Sequence, residues 1–205
     1  MHRAGHTGVW MLLYAPVAFT LLSEGRPEVA VLGAAIVYVV EQIPDSDQFI
    51  PFLKHRGFSH TVAFAVLVGL TLGVLGLFIG ERAFLTVGNW ITAQGFDSVG
   101  SAVIEAETAV NERELAGIGF GMGVFGVLAH LAGDVVTTMG IQPFWPVSSW
   151  RISLSPLKAR NPAANEMMFV LGVGALAGAI WSGFGLPLPI DGTVESLFRE
   201  VLREL

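Results

Sequence analysis

Two stretches of this sequence carry side chains that bind metal ions. Pro44-Asp45-Ser46-Asp47 is followed by His55-Arg56-Gly57-Phe58-Ser59-His60, and seventy residues after His60 comes His130-Leu131-Ala132-Gly133-Asp134. His130 and Asp134 are four apart, so on a helix they project from one face, one turn from each other. The histidine pair of zinc-protease helices has the same spacing. Such a polar pair can also serve an ordinary helix contact, but near the end of an apolar run ionisable residues are costly and more often functional. Asp45 and Asp47 follow a helix-ending proline. In an extended segment residues two apart point the same way, and two carboxylates so placed repel each other unless a cation lies between them. A solvated Asx turn is the plainer alternative. His55 and His60 bracket Arg56 and Gly57. Gly57 lets the backbone turn sharply, and Ser59 is placed to cap the helix that follows. His6 stands just before the first apolar run and joins the set, while His2 reads as a surface residue.

The chain contains no cysteine, which excludes thiolate sites and disulfides. A metal must therefore rest on imidazole and carboxylate, and Zn or Mn are the favoured ions. His6, Asp45, Asp47, His55, His60, His130 and Asp134 exceed the three protein ligands and one water of a catalytic zinc. Either two divalent ions are bound, or one ion is bound and the remaining groups act as base or support. Metal ions lower the pKa of bound water towards ~7, so hydrolysis is the chemistry such a set suggests. Arg56, inside the motif, suits a phosphate or carboxylate oxygen, although an arginine facing lipid headgroups is an equal alternative.

The elements that must bring these groups together are apolar. Of 205 residues 53% are hydrophobic and 14% charged, whereas soluble domains carry about a quarter charged residues. The excess lies in runs, Gly8 to Leu22, Val29 to Val40, Thr61 to Ile79, Leu115 to Leu131 and Met167 to Phe184, which predict about five transmembrane or partly re-entrant helices. The second run is short for a full crossing, and the third is the cleanest. Arg3 ahead of an apolar core also suits a signal peptide, but Glu24-Gly25-Arg26-Pro27 reads as a turn between helices. Glu81 to Glu114 is acidic and mixed, with an interfacial helix expected around Trp90. Val194, Leu197, Val201 and Leu205 predict a C-terminal amphipathic surface helix. The expected architecture is a single all-α membrane domain over residues 1–205.

Counting crossings from the N-terminus places His6, the Asp45 to His60 loop, the end of the fourth run and the Gly140 to Asn165 loop on one membrane face. Every candidate ligand lands there, although the runs were drawn from hydrophobicity alone. That face carries six basic residues and the other five, a small excess that leans towards a cytoplasmic site. The net charge is −6, and no basic cluster of the kind that binds nucleic acid is visible.

Pro44-Asp45-x-Asp47, His55-Arg56-Gly57-x-Ser59-His60 and His130-x-x-x-Asp134-x-x-Thr137-x-x-Gly140, with Pro146, resemble the LexA-regulated, membrane-bound metal-dependent hydrolase family of bacteria and archaea. His6-Thr7-Gly8 fits that family's opening histidine, and Glu166 looks like its late acidic position. Gln48 departs from the histidine often seen beside the aspartate pair, and Glu81 to Glu114 has no counterpart in the match. The resemblance implies a multi-pass membrane protein with metal-dependent hydrolase activity and no particular substrate. Arg56 and Glu166 are the candidate catalytic residues, the inner, cytoplasmic membrane is the expected location, and a site at the membrane face suits a small-molecule or lipid-like substrate. Phosphoesters are the first expectation, because Arg56, Arg151, Lys158 and Arg160 could neutralise phosphate. The alternative is a divalent-cation transporter or a metal-sensing membrane protein.

Overall fold

The computed structural model describes residues 1–51, 55–154 and 158–186. The expected amphipathic helix from Thr193 lies outside the described residues. Among those described, the regular structure is helical apart from one isolated antiparallel bridge between Ile141 and Ile152. The helices are α1 (Arg3–Ser23), α2 (Pro27–Val40), α3 (Val62–Ala93), α4 (Asp97–Ala109), α5 (Glu112–Val135) and α6 (Pro162–Gly183), with short 3-10 turns at Pro44–Phe49 and Phe58–His60.

Among the described residues four segments are long and apolar enough to cross a membrane: α1, Pro27–Phe49, α5 and α6. The second apolar run reaches the necessary length because the chain stays coiled past Val40 into the turn at Pro44–Phe49, giving 23 residues. The third run, expected as the cleanest crossing, forms one limb, Val62–Phe78, and the helix bends just beyond it. Val62–Phe78 and Arg82–Ala93 meet at 80°. The bend falls where the sequence passes from an apolar stretch to Gly80-Glu81-Arg82, and charged residues of this kind are expensive inside hydrocarbon. The second limb carries Trp90, 63% exposed, and α4 packs back against α3.

α1 lies along α6, α3 along α5, and α2 against α5. Small residues allow these approaches, as expected where no hydrophobic force drives helices together in lipid. A Cβ on Gly8 would strike the carbonyl of Met168, and one on Gly172 would strike the carbonyl of Gly8, so the α1 and α6 backbones are in direct contact. Tyr14, fully buried, donates its hydroxyl to the Ala30 carbonyl at 2.7 Å and ties α1 to α2.

The helix starts are set locally. Thr61, Asn111 and Asn161 accept hydrogen bonds from the backbone N–H groups of Phe64, Glu114 and Ala164, satisfying donors that the first turn leaves free. Ser59, expected as the cap of α3, is not the cap. Thr61 performs that task, because the chain takes a 3-10 turn through Phe58–His60 before α3 begins. The up-and-down order gathers the start of α1, the end of α2, the start of α3 and the end of α5 at one rim.

Candidate metal centre

His130, on the penultimate turn of α5, is the hub of the rim. Its ring stacks on that of His6 with centroids 4.0 Å apart and planes within 1°, and meets the His60 ring edge-on at 5.1 Å. Three elements far apart in sequence are therefore in contact through imidazoles. His6, His60, His130 and Asp134 are all buried.

Two imidazole nitrogens and two carboxylate oxygens alternate within 3.7 Å of one another. His60 Nε2 lies 3.5 Å from Asp45 Oδ1 and 3.4 Å from Asp134 Oδ2. His130 Nε2 lies 3.6 Å from Asp45 Oδ1 and 3.7 Å from Asp134 Oδ2. His60 Nε2, His130 Nε2 and Asp134 Oδ2 are buried and have no hydrogen-bond partner. Ligand atoms at ~2.0–2.1 Å from a tetrahedral ion are separated by about 3.3–3.4 Å, and the four imidazole–carboxylate spacings are close to that. Buried polar atoms are normally hydrogen-bonded, so orphaned donors converging at this separation fit a divalent cation.

Charge points the same way. Glu41, Asp45, Asp47 and Asp134 stand at the rim, and the cationic groups hydrogen-bonded to them are Arg56 and the Met1 amino group. With neutral imidazoles the carboxylates outnumber these cations by two. Burial opposes a charged His60, but the carboxylates of Asp134 and Asp45 outweigh it and hold the imidazole pKa above the ordinary histidine value. A bound cation would therefore compete with a proton at His60.

The other expected ligands fall in two further groupings that share His60 or His130. Asp45 and Asp47 do not face each other, because the segment is a 3-10 turn rather than extended chain. With three residues per turn, positions two apart point in different directions. Asp45 turns to His60 and His130. Asp47 accepts from His55 Nδ1 at 2.8 Å, from the Arg56 backbone N–H at 3.1 Å and from the Ser59 hydroxyl at 2.6 Å. Ser59 Oγ also lies 2.9 Å from His60 Nδ1, so an Asp47–Ser59–His60 chain fixes that ring with Nε2 free. Supporting contacts of this kind orient metal-binding histidines. His55 belongs with Asp47 and His60 in a second grouping of potential donors, but its Nδ1 is taken by Asp47 and its side chain is 40% exposed.

His6 forms a third grouping with His130 and Asp134. Its Nε2 lies 3.5 Å from Asp134 Oδ1 and 3.0 Å from the Met1 amino group. Its Nδ1 lies against α5, where a Cβ on Gly133 would approach it to 2.6 Å. Gly133→Ala is therefore expected to push His6 off the His130 ring, costing about 1–3 kcal/mol and weakening any Zn²⁺ binding that depends on this stack. Thermal unfolding and zinc titration in detergent measure the two effects, and a variant unchanged in both would remove His6 from the site.

Arg56 does hold a carboxylate, that of Asp134. Its Nη2 donates to Asp134 Oδ1 at 2.6 Å and its Nη1 to the Gly140 carbonyl at 3.1 Å. Glu166 is exposed and joins none of the ligand groups. Its neighbour Asn165 is the buried residue of that turn, accepting from the His2 backbone N–H at 3.0 Å and donating to the carbonyls of Ala159 and Asn161.

Two cavities flank the cluster. One of about 260 Å³ is lined by His6, Glu41, Asp45 and His130, with Arg3 and Gln48 at its sides. The other, about 380 Å³, lies beyond Arg56 and is walled by His55, Phe58, Met139, Trp145 and Arg151.

Residues 1–188 match the model of the family described as YdjM inner membrane protein. The chain belongs to the YdjM inner membrane protein family. It is thus a multi-pass inner membrane protein, in agreement with its apolar helices. No curated protein and no solved structure matches it. The YdjM match covers both stretches that carry the rim histidines and aspartates. Glu41 was not singled out by sequence. It is a lone acidic residue at the end of an apolar run, and that position was its one available signal.

Proposed function

We propose that this YdjM-family chain is a membrane-bound, metal-dependent hydrolase acting on an ester, a phosphoester foremost, of an amphiphilic substrate at the membrane face. The observation that carries this reading is the set of unpartnered donors on His60, His130 and Asp134, converging with Asp45 beside an open cavity. His60, His130 and Asp134 would hold one divalent cation, with Zn or Mn favoured, and Asp45 would approach it from the cavity side. The ion would supply Lewis-acid activation of water and of the scissile ester.

A hydrolase needs a position that the protein does not occupy. The side chains of His60, His130 and Asp134 are at most 1% exposed, whereas that of Asp45 is 37% exposed. Two imidazoles and one carboxylate form the buried set, the donor set of known zinc hydrolases, and Asp45 stands at the mouth where substrate and water arrive. Arg56 keeps Asp134 in place, and with Arg151 it lines the second cavity, where an anionic headgroup would find two guanidinium groups against an apolar wall. Arg151 spends one N–H on the Met139 carbonyl and is otherwise exposed. Exposed Phe144, Trp145 and Trp150 beside this cavity suit the headgroup layer.

Transport is the weaker reading. Transporter sites sit near the bilayer midplane on interrupted helices, and these donors sit at helix ends. The test is hydrolysis of phosphodiester and phospholipid substrates in mixed micelles by protein stripped of metal and reloaded with Zn²⁺ or Mn²⁺. Activity that appears on reloading and is absent in His60→Ala is the expected result. Metal uptake into proteoliposomes that needs His60, with no ester cleaved, would replace hydrolase by transporter.

A further inference from the structure

Glu41 is the acidic side chain that the proposed centre leaves unused. It closes α2, is 2% exposed, and its Oε1 has no hydrogen-bond partner. An isolated buried carboxylate costs several kcal/mol, roughly, so a donor must face it. Across a 4.0 Å gap from Glu41 Oε2 lies His130 Nδ1, which is also buried and unpartnered. That separation exceeds a hydrogen bond. The terminal torsion of glutamate is broad, however, so no rotamer well holds the carboxylate at this separation.

The His130 ring has little freedom of its own. His6 stacks on one face and His60 meets it edge-on, which sets its plane. What remains to be decided is which nitrogen carries the proton. A proton on Nδ1 directed at Glu41 leaves the Nε2 lone pair facing Asp45 Oδ1 and Asp134 Oδ2. A proton on Nε2 would block that direction and leave Glu41 without a donor. His60 is arranged in parallel, with Nδ1 against the Ser59 hydroxyl that Asp47 holds, and Nε2 free.

We infer that Glu41 is a positioning residue of the metal centre, accepting the Nδ1 proton of His130 and so presenting Nε2 to the cation. The inference rests on the metal-centre reading above. It also gives the rim two matched supports, Asp47 acting through Ser59 on His60 and Glu41 acting directly on His130. Glu41 lines the same cavity as His130 and Asp45, so its carboxylate adds negative potential where a cation must enter.

The experiment is equilibrium Zn²⁺ binding to the full chain in detergent against a competing chelator, for wild type, Glu41→Gln and Glu41→Asp. Glu41→Gln is expected to bind Zn²⁺ about 10–100-fold more weakly, with Glu41→Asp intermediate and the unfolding temperature of chelated protein not lowered. Binding within about twofold of wild type, or a loss of affinity matched by a loss of metal-free stability, overturns the assignment. Nitrogen-15 histidine spectra of zinc-loaded wild type require no variant: His130 is expected with Nδ1 protonated and Nε2 shifted by the metal, and the reverse pattern overturns the assignment. Wild type that fails to bind Zn²⁺ overturns the metal centre itself, and this inference with it.

Discussion

Asp134→Ala is expected to abolish metal retention and to destabilise the fold by about 3–5 kcal/mol, the cost of leaving a buried charge without its partner. The Asp134 side chain is 1% exposed and its two oxygens do different work. Oδ1 takes Arg56 Nη2 at 2.6 Å and the Met1 amino group at 2.9 Å. Oδ2 has no partner and faces His60 and His130. Alanine removes a donor from the centre and strands the Arg56 guanidinium in one step. Asp134→Asn separates the two, because it keeps the volume and one oxygen but loses the charge. His130→Ala removes a donor without touching the ion pair. The three variants are therefore expected to lose metal together, with Asp134→Ala the least stable. Elemental analysis of purified protein and thermal unfolding in detergent are the measurements. Full metal stoichiometry in Asp134→Ala would take this carboxylate out of the ligand set.

The convergence itself was legible in the sequence. Apolar runs give the up-and-down order of the helices, and alternation then places His6, the Asp45 to His60 loop and the end of α5 at one end of the bundle, where the structure has them. The i,i+4 pair of His130 and Asp134 was equally readable, because a helix imposes its own spacing. What failed was the geometry of the short irregular segments. Asp45 and Asp47 were read as extended chain and form a 3-10 turn, so one reaches the cluster and the other supports it. Ser59 and Thr61 are both good caps by composition, and only the turn through Phe58–His60 decides between them. Glu166 and Asn165 differ by one position on a helix, or about 100°, which is enough to turn one inward and the other out. Glu41 was passed over because it looks like the polar end of a membrane segment, and its burial depends on the packing of α2 against α5.

The rim position separates the histidine and aspartate cluster from most of the apolar helix surface. The residues of the cluster come from the start of α1, the end of α5 and the turns between α2 and α3, so their relative placement depends on how closely the helix pairs pack. Gly123 on α5 meets Gly69 on α3, where a Cβ would approach the facing Cα to 2.9 Å. Larger residues there would push apart the two helices that carry His130 and follow His60. Small residues well inside the bundle thus set distances at its end, and they do so without any polar contact.

Arg56→Ala is expected to cost about as much stability as Asp134→Ala, about 3–5 kcal/mol, but with a different dependence on metal. Arg56 bridges two loops: its backbone N–H binds Asp47, its Nη2 Asp134 and its Nη1 the Gly140 carbonyl. Its side chain is 11% exposed, so this pairing is largely shielded from water. Without the guanidinium, Asp134 loses its strongest partner and the segment before α3 loses its tie to the turn after α5. A bound cation makes up part of the missing positive charge, so the variant is expected to be much weaker than wild type in chelator and closer to it in saturating Zn²⁺ or Mn²⁺. Arg56→Lys retains the charge but not the fork, and one ammonium does not replace two fixed N–H directions. Backbone strain must be separated from these effects, because Arg56 has φ 60°, in the left-handed region. Alanine keeps that strain and glycine relieves it, so Arg56→Gly is expected to be about 1 kcal/mol more stable than Arg56→Ala, while both lose the ion pair. Unfolding temperatures of the three variants with and without metal measure the pattern. Wild-type stability in all three, with only ester hydrolysis reduced, would show Arg56 to act on substrate rather than on Asp134.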